Sequence, residues 1–227
     1  MKQLLKKLIP LKLLVVYRFI KKQLRPVPED EQVQFDALSI YNGHFNVTYK
    51  GIRTLKCPFD YVMYQMIITS LKPDLVIEIG TSYGGNALYI AELMDTIEHG
   101  KVHTIDIVGK SEVVHPRITF FKNGWEGYDL KETKKFSKIL IIDDGSHMYE
   151  DVLSTLHKFA SAVSVGSYYI IEDGIIDEIG KKFNGGPLRA IREFLPENKN
   201  FEVDRTYCDM FGKNATFNVN GYLKKIK

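Results

Sequence analysis

The sequence predicts an α/β chain: a Rossmann-like, doubly wound, mostly parallel sheet with an N-terminal helical extension. Aliphatic runs of strand length alternate with segments whose apolar residues recur at helical spacing, the pattern of a sheet covered on both faces. The run Leu75–Ile77 passes through Gly80, Gly84 and Gly85 into NALYIAELMDTI, where Ala87, Ile90, Ala91, Met94 and Ile97 share a face. Acidic residues close several of these strands, and in open α/β sheets ligands collect at the strands' carboxyl ends.

A strand, a glycine turn and a helix N-terminus together present backbone N–H groups to a ligand. Ser82 stands where a dinucleotide fingerprint carries its second glycine, which argues against nicotinamide or flavin binding. The stretch from Glu78 through Gly80, Thr81 and Ser82 to Gly84 and Gly85 instead resembles the first motif of class I S-adenosylmethionine-dependent methyltransferases. That resemblance implies S-adenosylmethionine as the cofactor, bound by these residues with Glu78 near its methionine part. An ordinary tight strand-to-helix turn is the other reading.

At 227 residues, 44% hydrophobic and 26% charged, the chain suits one sizeable globular α/β domain. Two cysteines, Cys57 and Cys208, make no disulfide framework, and a reducing cytoplasm is the expected location. The net charge of +3 is uneven: residues 1–28 hold eight basic residues and no acid, leaving 23 basic against 28 acidic residues elsewhere. A general nucleic-acid-binding surface is not expected.

Residues 1–50 read as a basic amphipathic helix and linker, and residues 51–227 as the methyltransferase domain. Leu4, Leu8, Leu11, Val15 and Phe19 fall near one helical face, and Lys12 and Arg18 interrupt the apolar run well short of the ~20 residues that span a bilayer. No signal-peptide cleavage site follows. Residues 1–25 thus offer either packing on the domain or a second subunit, in a homo-oligomer, or peripheral contact with the inner face of a membrane. A further helix is expected from Pro58–Asp60 to before Pro73, covering the cofactor end of the sheet.

KVHTIDI reads as the second parallel strand, ending at Asp106, where a carboxylate can accept both ribose hydroxyls of a nucleoside or serve as a surface cap. RITFFKNG is the third, followed by Trp125, either an adenine platform or simply core. KILIIDDG is the fourth, closing on Asp143 and Asp144, and a helix capped near Ser146 follows. SYYIIEDG is the fifth, closing on Glu172 and Asp173, and FEVDRTY and FNVNGYLKKI form an antiparallel pair. Parallel register brings Asp144, Glu172 and Asp173 to one edge, where three crowded carboxylates call for a cation. All are hard oxygen ligands suited to Mg²⁺, whereas zinc would want a Cys/His cluster. His147, near a helix start where imidazolium is disfavoured, is suited to accepting a proton.

The segments GIRTLKCPFD…YQ, EIGTSYGGNAL, IDI, IIDDGSH, IIEDG and GPLRAIREF resemble, in order and spacing, the cephalosporin hydroxylase and rhamnosyl O-methyltransferase family, related to the macrolide-sugar O-methyltransferases. The resemblance implies a class I methyltransferase fold and a Mg²⁺-dependent transfer of methyl from S-adenosylmethionine to a sugar hydroxyl. Its Asp-x-x-His motif and Glu-Asp pair map onto Asp144, His147, Glu172 and Asp173, implying Asp144, Glu172 and Asp173 as metal ligands and His147 with Asp144 as catalytic residues. Asp106 and Asp143 join the cofactor-binding set, and Ile175–Pro187 and Arg205–Phe217 are the expected acceptor walls. Oxidative tailoring of a small molecule and a non-catalytic cofactor-binding subunit are the alternatives; neither a facial-triad nor a flavin motif supports the former.

Overall fold

The computed structural model describes residues 11–24, 28–33, 35–108, 111–179 and 182–227. The chain divides into two compact units, residues 1–36 and 37–227. Residues 37–50, grouped by sequence with the extension, therefore fold with the second unit.

The first unit holds helix α1 (Leu11–Leu24) and a 3₁₀ turn at Glu29–Glu31. Leu13, Val16, Tyr17 and Ile20, at i, i+3, i+4 and i+7, form an apolar stripe 50–61% exposed. Val15 and Phe19, on the face singled out by the sequence, are also exposed, so the helix is apolar on more than one side. No described helix is long and apolar enough to cross a membrane. Leu4, Leu8, Pro10, Arg25, Pro26 and Val27 lie outside the described residues.

The second unit opens with α2 (Ala37–His44) and the small antiparallel pair β1 (Thr48–Tyr49) and β2 (Ile52–Arg53). Helix α3 (Pro58–Leu71) begins with proline at N1, where the missing N–H costs nothing, and ends on Lys72 in the left-handed conformation just before Pro73. Then come β3 (Leu75–Ile79), α4 (Gly85–Thr96), β4 (Lys101–Ile105), β5 (Ile118–Phe121) and the short α5 (Gly124–Gly127). Next are β6 (Ile139–Asp143), α6 (Tyr149–Phe159), β7 (Tyr168–Ile171), the short α7 (Ile176–Ile179) and α8 (Gly186–Glu197). The chain closes with β8 (Phe201–Val203), the short α9 (Arg205–Cys208) and β9 (Tyr222–Lys225).

Seven strands form one sheet in the order β5-β4-β3-β6-β7-β9-β8. β5, β4, β3, β6 and β7 run parallel, and β9 lies antiparallel to both β7 and β8. The expected mostly parallel sheet and terminal antiparallel pair are both present. β3, β6 and β7 are buried along their whole length, which is why they read as aliphatic runs rather than alternating ones.

Strand alternation sorts the core onto two faces. Leu75, Ile77, Ile139, Ile141, Tyr169 and Ile171 pack with Val152, Leu156 and Phe159 of α6 and Ala190, Ile191 and Phe194 of α8. Val76, Val102, Leu140, Ile142 and Ile170 pack on the other face with Met63, Tyr64, Ile67 and Ile68 of α3 and with Ala87, Ile90, Ala91 and Met94 of α4. Helix α3 therefore lies on a sheet face through its apolar side instead of covering the cofactor end. Both cysteines are buried and unpaired.

Candidate active site

Backbone hydrogen bonds carry the sheet's ladder one residue past its central strands. Gly80 N–H donates to the Ile105 carbonyl (2.8 Å), Asp144 N–H to that of Ile79 (2.8 Å) and Glu172 N–H to that of Asp143 (2.9 Å). Asp106 N–H likewise donates to the Phe121 carbonyl (2.9 Å). Gly80, Asp106, Asp144 and Glu172 thus stand along one edge, around the point between β3 and β6 where strand order reverses. A cavity of about 700 Å³ opens over that edge.

One side of the cavity carries Gly80, Ser82, Asp106 and Trp125. Ser82 adopts the left-handed conformation (φ 48°) in place of the glycine a dinucleotide turn would use. Its N–H donates to Asp106 Oδ2 (2.8 Å), and the Val108 N–H donates to Oδ1 (2.8 Å). The carboxylate is fixed by backbone donors, yet each oxygen keeps a lone pair for a ligand hydroxyl. Trp125 both lines the cavity and packs partly on the core.

The remaining residues of the expected cofactor set lie behind this wall. Glu78 shares the α3/α4 face of β3, is 1% exposed, and accepts from Asn86 Nδ2 (2.8 Å) and Thr104 Oγ1 (2.5 Å). Burial pushes its carboxyl from the ordinary 4.5 up to about 7, against the opposing pull of Thr104, Lys56 and Asn86. It braces the turn from beneath rather than facing the cavity. Thr81 is buried against Thr104 (Oγ1 to Oγ1, 2.6 Å), and Gly84 caps α4 in the left-handed conformation (φ 82°). A Cβ on Gly85 would collide with Thr54 and with the Arg53 carbonyl, so this glycine serves close packing under β2. Asp143 follows Ile139 and Ile141 onto the α6 face, where it accepts from the Thr155 hydroxyl and the Gly145 N–H. Burial pushes it up to about 6, and it anchors the strand tip to α6.

On the other side of the cavity are Asp144, His147 and Asp173, each with one ligand atom within 4.8 Å of the others'. His147 Nε2 lies 3.4 Å from Asp173 Oδ2 and 3.9 Å from Asp144 Oδ1. His147 (φ 59°) and Asp173 (φ 57°) are both left-handed non-glycine residues, a conformation that costs on the order of 1 kcal/mol or more each and clusters at functional sites. Helix α6 starts only at Tyr149; Ser146 does not cap it but accepts from the Met148 N–H (3.3 Å) and bonds Asp151. His147 therefore sits in the turn before the helix, aimed into the cavity. Enclosure holds the Asp173 carboxyl above its usual range despite His147 beside it.

Glu172, the third expected metal ligand, is 3% exposed and turned inward from the cavity wall. Its Oε1 accepts from the Tyr64 hydroxyl (2.6 Å), and its Oε2 lies 2.5 Å from Lys56 Nζ. Lys56 was not anticipated from sequence. It is 2% exposed and also lies 2.5 Å from Asp144 Oδ2. Burial alone would lower its ammonium, but Asp144 and Glu172 outweigh it and hold Lys56 well above the usual lysine range. Burial, and then the neighbouring Asp144, push the Glu172 carboxyl well above its usual range, with Lys56 pulling the other way.

Of the expected acceptor walls, Ile176 and Phe183 face the cavity, but no residue of Arg205–Phe217 does. Its place is taken by Tyr41, His44, Phe45 and Leu55. Phe217 instead packs edge-on against His44, behind that wall (centroids 5.3 Å).

The sheet order, with antiparallel β9 inserted between β7 and β8 and the cavity at the glycine turn, defines a class I S-adenosylmethionine-dependent methyltransferase. A sequence model of the rhamnosyl O-methyltransferase/CmcI family matches residues 42–226, and the chain belongs to that family. The rhamnosyl O-methyltransferase of Mycobacterium leprae is 31% identical over 81% of this chain and 86% of its own length. That of Mycobacterium bovis (BCG) is 31% identical over 78% of this chain and 77% of its own. The solved structure of CmcI with Mg and SAM superposes at a TM-score of 0.64 with 20% identity, covering 89% of this chain and 86% of that one. The protein is an S-adenosylmethionine-dependent O-methyltransferase.

Proposed function

We propose that the enzyme transfers the methyl group of S-adenosylmethionine to a sugar hydroxyl of a glycan or glycosylated metabolite, with Mg²⁺ at the acidic tip of β6 and β7. The observation that carries this reading is the shared cavity: Asp106 and the Gly80–Ser82 turn line one side, and Asp144, His147 and Asp173 the other. The donor set fits a hard divalent cation, being two carboxylates with cavity-facing oxygens and a third carboxylate, Glu172, directly behind. Asp144 and Asp173 would hold Mg²⁺ through their cavity-facing oxygens, with Glu172 behind them bound to Lys56 instead of to the ion; when bound, the metal would supply acidity to a neighbouring hydroxyl.

The chain's own residues do the rest. Asp106 accepts the ribose hydroxyls of the cofactor, and Trp125 offers a face to its base. Tyr41, Phe45 and Phe183 present aromatic surface suited to a sugar ring. His147 Nε2 takes the hydroxyl proton while the O–CH₃ bond forms and the S–CH₃ bond breaks, releasing the neutral thioether. Asp173 Oδ2, 3.4 Å from the same nitrogen, is placed to stabilise the imidazolium once the proton has arrived.

Peripheral contact of residues 1–25 with an anionic lipid surface belongs to the same proposal. Its support is the exposed apolar stripe on α1 together with the eight basic residues and no acid in residues 1–28.

Methyl transfer from labelled cofactor to a panel of free and glycosidic sugars, with and without EDTA, tests the chemistry. Transfer to a sugar that stops in EDTA and returns with Mg²⁺ is expected. EDTA-indifferent transfer removes the metal from the proposal, and transfer only to non-sugar acceptors removes the sugar.

A further inference from the structure

Lys56 belongs to the loop between β2 and α3, and its whole side chain is enclosed (2% exposed). Its Nζ sits 2.5 Å from Asp144 Oδ2 and 2.5 Å from Glu172 Oε2, bridging the tips of β6 and β7. The opposite oxygens point elsewhere: Glu172 Oε1 to the Tyr64 hydroxyl (2.6 Å), and Asp144 Oδ1 toward His147 (3.9 Å). Asp144 therefore shows one oxygen to the buried ammonium and the other to the cavity.

An ammonium is costly to bury unless its partners stay charged, and clustered carboxylates are costly to assemble without a cation. Here each relieves the other. With all three carboxyls ionised, Asp144, Glu172 and Asp173 contribute three negatives and Lys56 one positive, leaving −2 around the cavity-facing oxygens. A divalent cation balances that remainder.

We infer that Lys56 is a built-in counter-cation of the metal centre, stabilising the acidic cluster when no metal is bound and moderating its grip on Mg²⁺ so that the ion exchanges. The inference rests on the metal reading above. Lys56 does not act on the substrate: it is a positioning residue, holding Asp144 by one oxygen.

Lys56→Met keeps most of the length of the side chain and removes the charge. In EDTA, the full-length variant should melt on the order of 10 °C below wild type, as expected for breaking a buried ion pair in a chain of this size. Calorimetric titration should show Mg²⁺ binding to the variant at least about tenfold tighter, because the cluster is then −3. Mg²⁺ should also raise its melting temperature by more than it raises that of wild type. The double variant Lys56→Met/Glu172→Gln, which returns the cluster to −2, should regain much of the lost melting temperature in EDTA. It also keeps the test open should the single variant fail to fold.

Unchanged or weaker Mg²⁺ binding by Lys56→Met, or a double variant no more stable than the single one, would overturn the inference. Wild type that binds no Mg²⁺ overturns its metal half together with the reading beneath it. The EDTA melting curves decide the counter-cation half separately.

Discussion

Tyr64, in the middle of α3, donates its hydroxyl to Glu172 Oε1 at 2.6 Å, joining a helix on one sheet face to the tip of β7. Asn218 Nδ2 donates to the same phenol (3.2 Å) and to the Tyr222 hydroxyl (3.3 Å), which in turn donates to Asp60 (3.0 Å). A buried polar chain thus runs from the first turn of α3 to the acidic cluster.

Tyr64→Phe removes one donor from a buried carboxylate and leaves the ring in place. Stability should fall by roughly 1–3 kcal/mol, read as a lower urea midpoint with unchanged slope. An unchanged midpoint would mean that the phenol does not matter to Glu172.

His147→Ala should lower turnover by roughly 10²–10⁴-fold, the usual worth of a general base. Cofactor affinity, measured calorimetrically, should stay within a fewfold of wild type, because His147 lies across the cavity from Asp106 and Ser82. A large loss of cofactor binding would contradict its role.

Asp106→Ala removes the acceptor for two backbone N–H groups and, on the proposed reading, for the ribose hydroxyls. Affinity for S-adenosylhomocysteine should drop by roughly 10- to 100-fold, the scale of lost hydrogen bonds to a charged group. Equal affinity in variant and wild type would place the ribose elsewhere.

Glu78 gives a pH signature. Its folded-state value near 7 lies above the ordinary 4.5, so the stability it contributes as the protonated form is present below pH 4.5 and lost as pH rises through 7. Glu78→Gln should remove that loss. Relative to the variant, wild type should weaken between pH 4.5 and 8 by on the order of 2–3 kcal/mol, followed by denaturant midpoints. Parallel curves for the two proteins would show that Glu78 titrates alike in the folded and unfolded chains.

Deleting residues 1–25 should abolish cosedimentation with anionic vesicles while cofactor binding survives, and added salt should weaken the full-length protein's binding. Equal vesicle binding with and without the segment, or a changed oligomeric state alone, would point away from lipid.

The sheet was legible because β3, β6 and β7 are buried on both faces and so spell themselves as unbroken aliphatic runs. Parallel register alone brings Asp144 and Asp173 together, since equivalent strand tips share an edge, and His147 joins them by lying three residues past Asp144. Asp143 and Glu78 sit in sequence beside cavity residues, and that adjacency alone points them to the ligand side. Strand alternation carried the correcting signal: Ile139, Ile141 and Asp143 share one face of β6, and Val76 and Glu78 share the other face of β3. Lys56 lay beyond local pattern, because its meaning depends on partners 88 and 116 residues further along the chain. Its flanking Leu55 and Cys57, apolar where a surface lysine would keep polar company, were the available hint. The wall made by Tyr41 and Phe45 was hidden for a similar reason, as a polar-looking linker gave no periodic cue.

Gly80 has the left-handed backbone of a turn (φ 97°), and a Cβ there would run into the carbonyl of Asp144. The turn after β3 and the loop after β6 are thus pressed together with no side chain between them. Their separation is a fixed dimension of the scaffold, and even alanine at this one position would pry the two sides of the cavity apart.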